Sequence, residues 1–262
     1  MREWFGGFLG KEKGQEGNLE KRKPVKEYYW RVSDPEIAQL EDGINNILSR
    51  IKHRIDAGEY KLVVGCDASG RIPTLIMEEV IKELYRQKGL GSLKTRFYAG
   101  AYSYVDKERN EKVSKILDSI AGVLKENPGR VLVVTEAILT GRSLVPILQV
   151  LKHLHAPFDV ATTSSESNIS DSAKQRNYLS PLFEYMDPDS IITGEADYGG
   201  ITHNSKISGV VKDYKDAFSR SYKKEEYEGD PAAQRRVQQG INNSRIDVDA
   251  VVHNLLIDYK KL

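Results

Sequence analysis

The sequence predicts an α/β fold, a mainly parallel sheet with helices on both faces, and three observations carry that reading. Short apolar runs rich in β-branched residues, at 61–65, 131–135 and 158–163, alternate with segments whose apolar residues recur every three or four positions. Gly or Pro punctuates the junctions, as at Gly58 and Pro128-Gly129. The chain is also apolar enough to bury a large core, since 39% of its 262 residues are hydrophobic.

Residues 1–33, rich in Gly, Lys and Glu without a sustained period, read as a flexible N-terminal arm. Ile37, Leu40, Ile44, Ile47, Leu48, Ile51 and Ile55 then form one helical face, with Asp34 as its cap, Pro35 in its first turn and Gly58 at its end. A buried strand over 61–65 leads through a small-residue turn to a helix over 72–87. Phe97, Ala99, Ala101 and Ser103 alternate with Tyr98, Tyr102 and Tyr104, which predicts a strand of mixed exposure over 95–104. The charged run 106–112 reads as a loop before a helix marked by Val113, Ile116, Leu117, Ile120 and Leu124. A strongly apolar strand over 131–135, a helix over 143–154 and a strand over 158–163 follow. Residues 164–174 read as a polar loop, 191–211 as small strands near the site, and the pattern from Ile246 to Leu256 as a last helix or helical hairpin. The chain thus divides into the arm, a sheet domain over 34–215 and a helical C-terminal extension over 216–262.

Charge and cysteine content narrow the partners. With 39 Lys plus Arg against 38 Asp plus Glu, a surface shaped for a long nucleic acid is not expected, while a pocket for one small anion stays open. Cys66 has no second cysteine to pair with, which suits a reducing compartment. The N-terminal apolar run is broken by Glu3, so no signal peptide fits it, and no stretch approaches a membrane span. The expectation is a soluble cytoplasmic protein without a membrane partner.

Ligands of such sheets bind at the carboxyl ends of the strands, so the loops after Val64 and Val134 are the places to look for chemistry. After Val131-Leu132-Val133-Val134 come Thr135-Glu136-Ala137-Ile138-Leu139-Thr140-Gly141-Arg142-Ser143-Leu144. Thr140 and Ser143 hydroxyls, together with backbone N–H groups at a helix start, can hold a phosphate, and Gly141 allows a tight turn. Glu136 can accept from ribose hydroxyls. The plainer alternative is a strand-to-helix turn capped by Ser143.

This stretch resembles the signature of type I phosphoribosyltransferases: an apolar strand, an acidic pair, a short spacer, then Thr-Gly-x-Ser/Thr-Leu. The resemblance implies that residues 138–143 (Ile138, Leu139, Thr140, Gly141, Arg142 and Ser143) bind a 5′-phosphate. It also implies that positions 135 and 136 bind the ribose, with Glu136 the catalytic carboxylate. Thr135 departs from the pattern, replacing the first acid, and Leu139 stands where some purine-specific members carry Asp.

The loop after the first strand, Asp67-Ala68-Ser69-Gly70-Arg71, has the glycine spacing of a Walker A loop with Gly65 but lacks its Lys and hydroxyl residue. The resemblance implies instead a pyrophosphate site, with Asp67, Ala68, Ser69, Gly70 and the Arg71 fork holding oxygens. Equally, Asp67 and Ser69 could cap the next helix. Mg2+ would enter with phosphoribosyl pyrophosphate near Asp67 and Glu136, and no residue is assigned as its direct ligand.

Between the two loops the resembled family carries a mobile flap, which implies roles for Tyr104, Lys107 and Arg109, with Lys112 a further cation for a departing pyrophosphate. A mixed charge run also suits plain solvated surface. The stretch 192–201 occupies the place of a hood over the base, where Tyr198 could stack and Asp197 accept, or where Gly199-Gly200 could make a hairpin. His153 and His155 do not share a helical face, so they make no metal pair, and no nucleophile elbow is present.

The expected function is therefore transfer of a ribosyl 5-phosphate group from phosphoribosyl pyrophosphate to a nitrogen base, as a glycosyltransferase of nucleotide metabolism. The alternative is a non-catalytic sensor or binding module for phosphoribosyl pyrophosphate or a nucleotide. Analogy with the family favours a homodimer.

Overall fold

Helix α1 (Pro35–Asp56) starts where the sequence says it should, because the Asp34 carboxylate accepts the N–H groups of Glu36 and Ile37 at 2.9 and 3.3 Å. Its apolar row from Ile37 to Ile55 is buried, and it ends at Gly58, whose φ of +68° is the left-handed conformation that glycine adopts freely. The computed structural model describes residues 29–66, 70–99, 106–138, 141–164, 182, 184–187, 190–196, 210–211, 217–218, 220–221 and 230–262.

After α1 come β1 (Tyr60–Cys66), α2 (Arg71–Lys88), β2 (Lys94–Tyr98), α3 (Asp106–Glu126), β3 (Arg130–Thr135), α4 (Val145–His153), β4 (Phe158–Ser164) and β5 (Ile192–Ala196). A two-residue antiparallel pair, β6 (Val210–Val211) with β7 (Arg220–Ser221), precedes the last helix α5 (Pro231–Tyr259). The five-stranded sheet runs β2-β1-β3-β4-β5 and every pairing in it is parallel. This is the α/β architecture the alternation predicts.

Strand alternation sorts the core into two layers. Val63, Leu132, Val134 and Ala161 face α1, α2 and α5 on one side of the sheet. Leu62, Val64, Cys66, Val131, Val133 and Val160 face α3 and α4 on the other. Because both faces are covered, β3 is apolar at successive positions, with Val131 to Val134 all at 0% exposure.

Three expectations change. The charged run 106–112 is the first two turns of α3 and not a loop, with Asn110 and Glu111 exposed while Lys112 and Ile116 turn inward. The strand expected over 95–104 is β2, ending at Tyr98, and Ala99 instead donates its N–H to the Ala217 carbonyl at 2.8 Å. Residues 192–196 are the fifth strand of the main sheet, where the sequence suggested a hood; Gly194 lies so close to the Gly43 backbone of α1 that a side chain would not fit.

The C-terminal region ends in one helix, and Val248, Val251, Leu255 and Tyr259 of α5 belong to the same buried layer as α1 and α2. The end of the N-terminal arm is tied to that helix. Asn254 pairs with both backbone groups of Trp30 at 2.7 and 3.0 Å, and Asp247 accepts the N–H groups of Ser33 and Asp34 at 2.7 and 3.0 Å. The Trp30 ring stacks on His253 with centroids 4.3 Å apart.

The amino edge of the sheet is closed by ion pairs. Asp159, at the start of β4, accepts the Tyr60 hydroxyl at 2.7 Å and pairs with Arg54 and with Arg130 at 3.3 Å. Burial, and then the Asp159 carboxylate, push the Tyr60 phenol above its ordinary range. Nearby, burial alone would raise the Asp56 carboxyl, but hydrogen bonds from Lys88, Tyr259 and Lys52 outweigh it and hold Asp56 well below the usual carboxylate range.

Candidate functional site

The strand order places the site before any side chain is considered. The chain leaves β1 for β2 on one side and later returns to β3 on the other, so the loops after β1 and β3 diverge and leave a crevice between neighbouring strand ends. Gly65 is the register partner of Val134, which sets the starts of the two loops side by side.

Gly70 seals the β1 side of this crevice. Its N–H donates to the Cys66 carbonyl at 2.7 Å, and a Cβ placed on it would lie 2.9 Å from the Val134 carbonyl oxygen. The turn therefore folds back over the exits of β1 and β3 together, and only glycine fits there. Arg71, half-buried at the start of α2, lays its guanidinium 4.6 Å from the Phe97 ring centroid. Gly70 is the N-cap of α2 and supplies no side-chain bond to it. On the inner side, the fully buried Thr74 hydroxyl has no hydrogen-bond partner among the described residues and stands 2.7 Å from where a Cβ on Gly65 would be.

The β3 loop is built from buried polar groups. Thr135 is 2% exposed and donates its hydroxyl to the Ala137 carbonyl at 3.4 Å, so it shapes the loop from within. Glu136 is 1% exposed. Ile138 is buried in the same apolar layer as Leu144, Ile147 and Leu148, so the side chain assigned to the phosphate loop belongs to the core and only its backbone remains for a ligand. Gly141, which the sequence reading took to allow a tight turn, has φ +67°, the left-handed region, and its carbonyl accepts the Leu144 N–H at 3.0 Å. Ser143 does not cap α4: Leu144 is the N-cap, without a side-chain bond, and Pro146 removes one donor from the first turn. Arg142 is exposed and Ser143 half-buried.

The sequence reading missed the third wall of the site. At the carboxyl end of β4, Thr162, Thr163 and Ser164 are all buried, and their hydroxyls and backbone converge on Glu136. The Glu136 carbonyl accepts from Thr162 and Thr163 hydroxyls at 3.0 Å each and from the Ser164 N–H at 2.9 Å. The available signal was a strand that changes from Val160-Ala161 to three hydroxyl residues as it reaches its carboxyl end.

The expectation for one cation is corrected by its burial, and the same holds for where the thiol sits. Lys112 is not a mobile flap residue; it is 2% exposed, and its Nζ lies 3.4 Å from the Ala99 carbonyl at the exit of β2. Cys66 ends β1 inside the core at 2% exposure, so it is no accessible probe of the loop that follows. Lys107 and Arg109 fall in the first turn of α3, where only the backbone is described. Asp67, Ala68, Ser69, Tyr104, Leu139, Thr140, Asp197 and Tyr198 lie outside the described residues.

Among the described residues no three His, Cys, Asp or Glu side chains gather into a metal cage. Mg2+ seldom needs one, since it commonly takes one or two carboxylates and completes its shell with water and substrate phosphates. Glu136 carries a carboxylate at the β3 exit, and the residue is 1% exposed in this structure. Among the described residues no helix is long and apolar enough to cross a membrane. No family model, curated protein or solved structure matches the chain.

Proposed function

We propose that the crevice between the β1 and β3 loops binds phosphoribosyl pyrophosphate with Mg2+, in a protein of the type I phosphoribosyltransferase-like kind. The observation that supports this most is the position of Gly70 directly over the exits of β1 and β3, with a second glycine turn, Gly141, in the loop that follows β3. Two glycine turns at the point where strand order reverses offer backbone donors to two anionic groups of one ligand.

In this reading residues 138–143 hold the 5′-phosphate, Glu136 the ribose hydroxyls, and residues 67–71 the pyrophosphate together with Mg2+. A nitrogen nucleophile would form a bond to C1′ while the bond from C1′ to the pyrophosphate oxygen breaks. Pyrophosphate would leave with the bonding pair, and the nucleophile's proton would pass to solvent or a base. Bound Mg2+ would supply charge neutralisation on the leaving pyrophosphate. The protein's part is positioning and exclusion of water around a cationic ribosyl centre.

Thr135 favours a second reading, a sensor that binds phosphoribosyl pyrophosphate or a nucleotide without turnover. Its hydroxyl is spent on the Ala137 carbonyl, which leaves one carboxylate where the resembled enzymes carry two. Calorimetric titration with phosphoribosyl pyrophosphate and Mg2+ tests both readings on wild type and on a Thr140→Ala, Ser143→Ala double variant. Binding by wild type and loss in the variant supports the phosphate loop, whereas no wild-type binding or equal affinity overturns it. Pyrophosphate release across a panel of nitrogen bases then separates enzyme from sensor.

A further inference from the structure

The end of β4 holds more hydrogen-bond donors than the backbone there requires. β3 and β4 are paired through Thr135 and Thr162, after which the Glu136 carbonyl would lack a ladder partner. The Ser164 N–H at 2.9 Å already satisfies it. Two further donors, the Thr162 and Thr163 hydroxyls at 3.0 Å, reach the same oxygen, although a carbonyl has two lone pairs. Val at either position would match Thr in shape without burying a hydroxyl. The register of β4 against β5 also shifts between Thr162 and Ser164, an irregularity of the kind that re-aims side chains.

Fixing this carbonyl fixes a direction. In a planar trans peptide the C=O and the following N–H point opposite ways, so a Glu136 carbonyl held toward β4 turns the Ala137 N–H toward β1. There β1 has ended and the Gly70 turn begins. Among the described residues nothing accepts the Ala137 N–H.

We infer that Thr162 and Thr163 are positioning residues: their hydroxyls clamp the Glu136 peptide so that Glu136 and the Ala137 N–H meet the ligand in the crevice between the β1 and β3 loops. This rests on the reading of that crevice as a phosphoribosyl pyrophosphate site. The clamp acts through Glu136, and neither threonine needs to touch the ligand.

The test uses the full chain as wild type, as Thr162→Val with Thr163→Val, as Thr162→Ser with Thr163→Ser, and as Glu136→Gln. Each is titrated with phosphoribosyl pyrophosphate and Mg2+, melted, and measured without ligand for amide exchange at Ser164, whose N–H donates to the Glu136 carbonyl. The expected result is a folded valine pair with a Kd raised about tenfold or more, a serine pair within about twofold of wild type, and faster exchange in the valine pair alone. If Glu136→Gln loses binding while the valine pair binds like wild type, the clamp is wrong and the site stands. If wild type does not bind, the ligand reading fails, and the exchange data still decide the clamp: unchanged exchange in the valine pair refutes it. Should the valine pair not fold, single Thr163→Val, which keeps two of the three donors, carries the same expectation with a smaller rise in Kd, and an unchanged Kd and exchange rate there refute the clamp.

Discussion

The two edges of the sheet use their polar groups differently. At the amino edge charged side chains pair with each other: Asp159 joins Arg54, Arg130 and Tyr60, and Asp56 joins Lys52, Lys88 and Tyr259. At the carboxyl edge, glycines and hydroxyl residues surround backbone groups, and the Thr74 hydroxyl has no partner among the described residues. A paired edge stabilises the fold and has little left for a ligand. An edge made of strand exits, tight turns and hydroxyls holds donors in place for something outside the chain.

The largest expected break in that contrast is Gly70→Ala. Its new Cβ would press on the Val134 carbonyl and Cys66 backbone, which cannot rotate aside. A loss of about 2–3 kcal/mol in urea unfolding is expected from such overpacking, together with loss of phosphoribosyl pyrophosphate binding. Affinity equal to wild type would show that the turn takes no part in the site.

Asp159→Ala probes the opposite edge. It strands two guanidinium groups and a buried phenol, and should cost about 2–3 kcal/mol of stability, with ligand affinity within about twofold of wild type because the site is distant. A large affinity loss in a variant still folded would mean the edges are coupled. Gly141→Ala comes next, since an L side chain at φ +67° costs about 1 kcal/mol. Calorimetry should show a larger proportional effect on binding than on stability.

The amino edge should also carry the acid sensitivity. The Asp56 carboxyl is depressed below its ordinary value of 3.8, so its contribution is fully present above that value and is lost as the pH falls through the folded-state value. Asp56→Asn should lower stability at neutral pH and flatten the acid limb of a stability-against-pH curve; an unchanged acid limb would exclude this carboxyl as the cause. The smallest effect expected is at Cys66, whose alkylation in native protein should run no faster than unfolding, with ligand changing it only through stability.

Much of the carboxyl edge was legible locally. Gly141 and the apolar run before it announce a strand, a tight turn and a helix, because backbone geometry at a glycine depends on its own neighbours. The strand holding Thr162 and Thr163 was legible, but their role was not, because nothing local shows that their hydroxyls and the Ser164 N–H meet the Glu136 carbonyl of a neighbouring strand. Lys112 was misread for a related reason: a charged run is solvated on average, yet a helix turns one of its members inward, and only packing says which. Small strands were expected over 191–211, but that residues 192–196 complete the main sheet, with Gly194 against the Gly43 backbone of α1, is a tertiary fact that local pattern does not carry.

By itself the sequence determined the helices and most strands, through periods of apolar residues, caps such as Asp34 and turns such as Gly58 and Gly141. Those features are set within one or two turns of chain. Tertiary structure alone decided the order β2-β1-β3-β4-β5, the seat of the Gly70 turn over β3, the clamp on Glu136 and the place of α5 in the core. Each depends on hydrogen bonds or burial between residues far apart in sequence, and local patterning carries no information about which distant strand exit will become a neighbour.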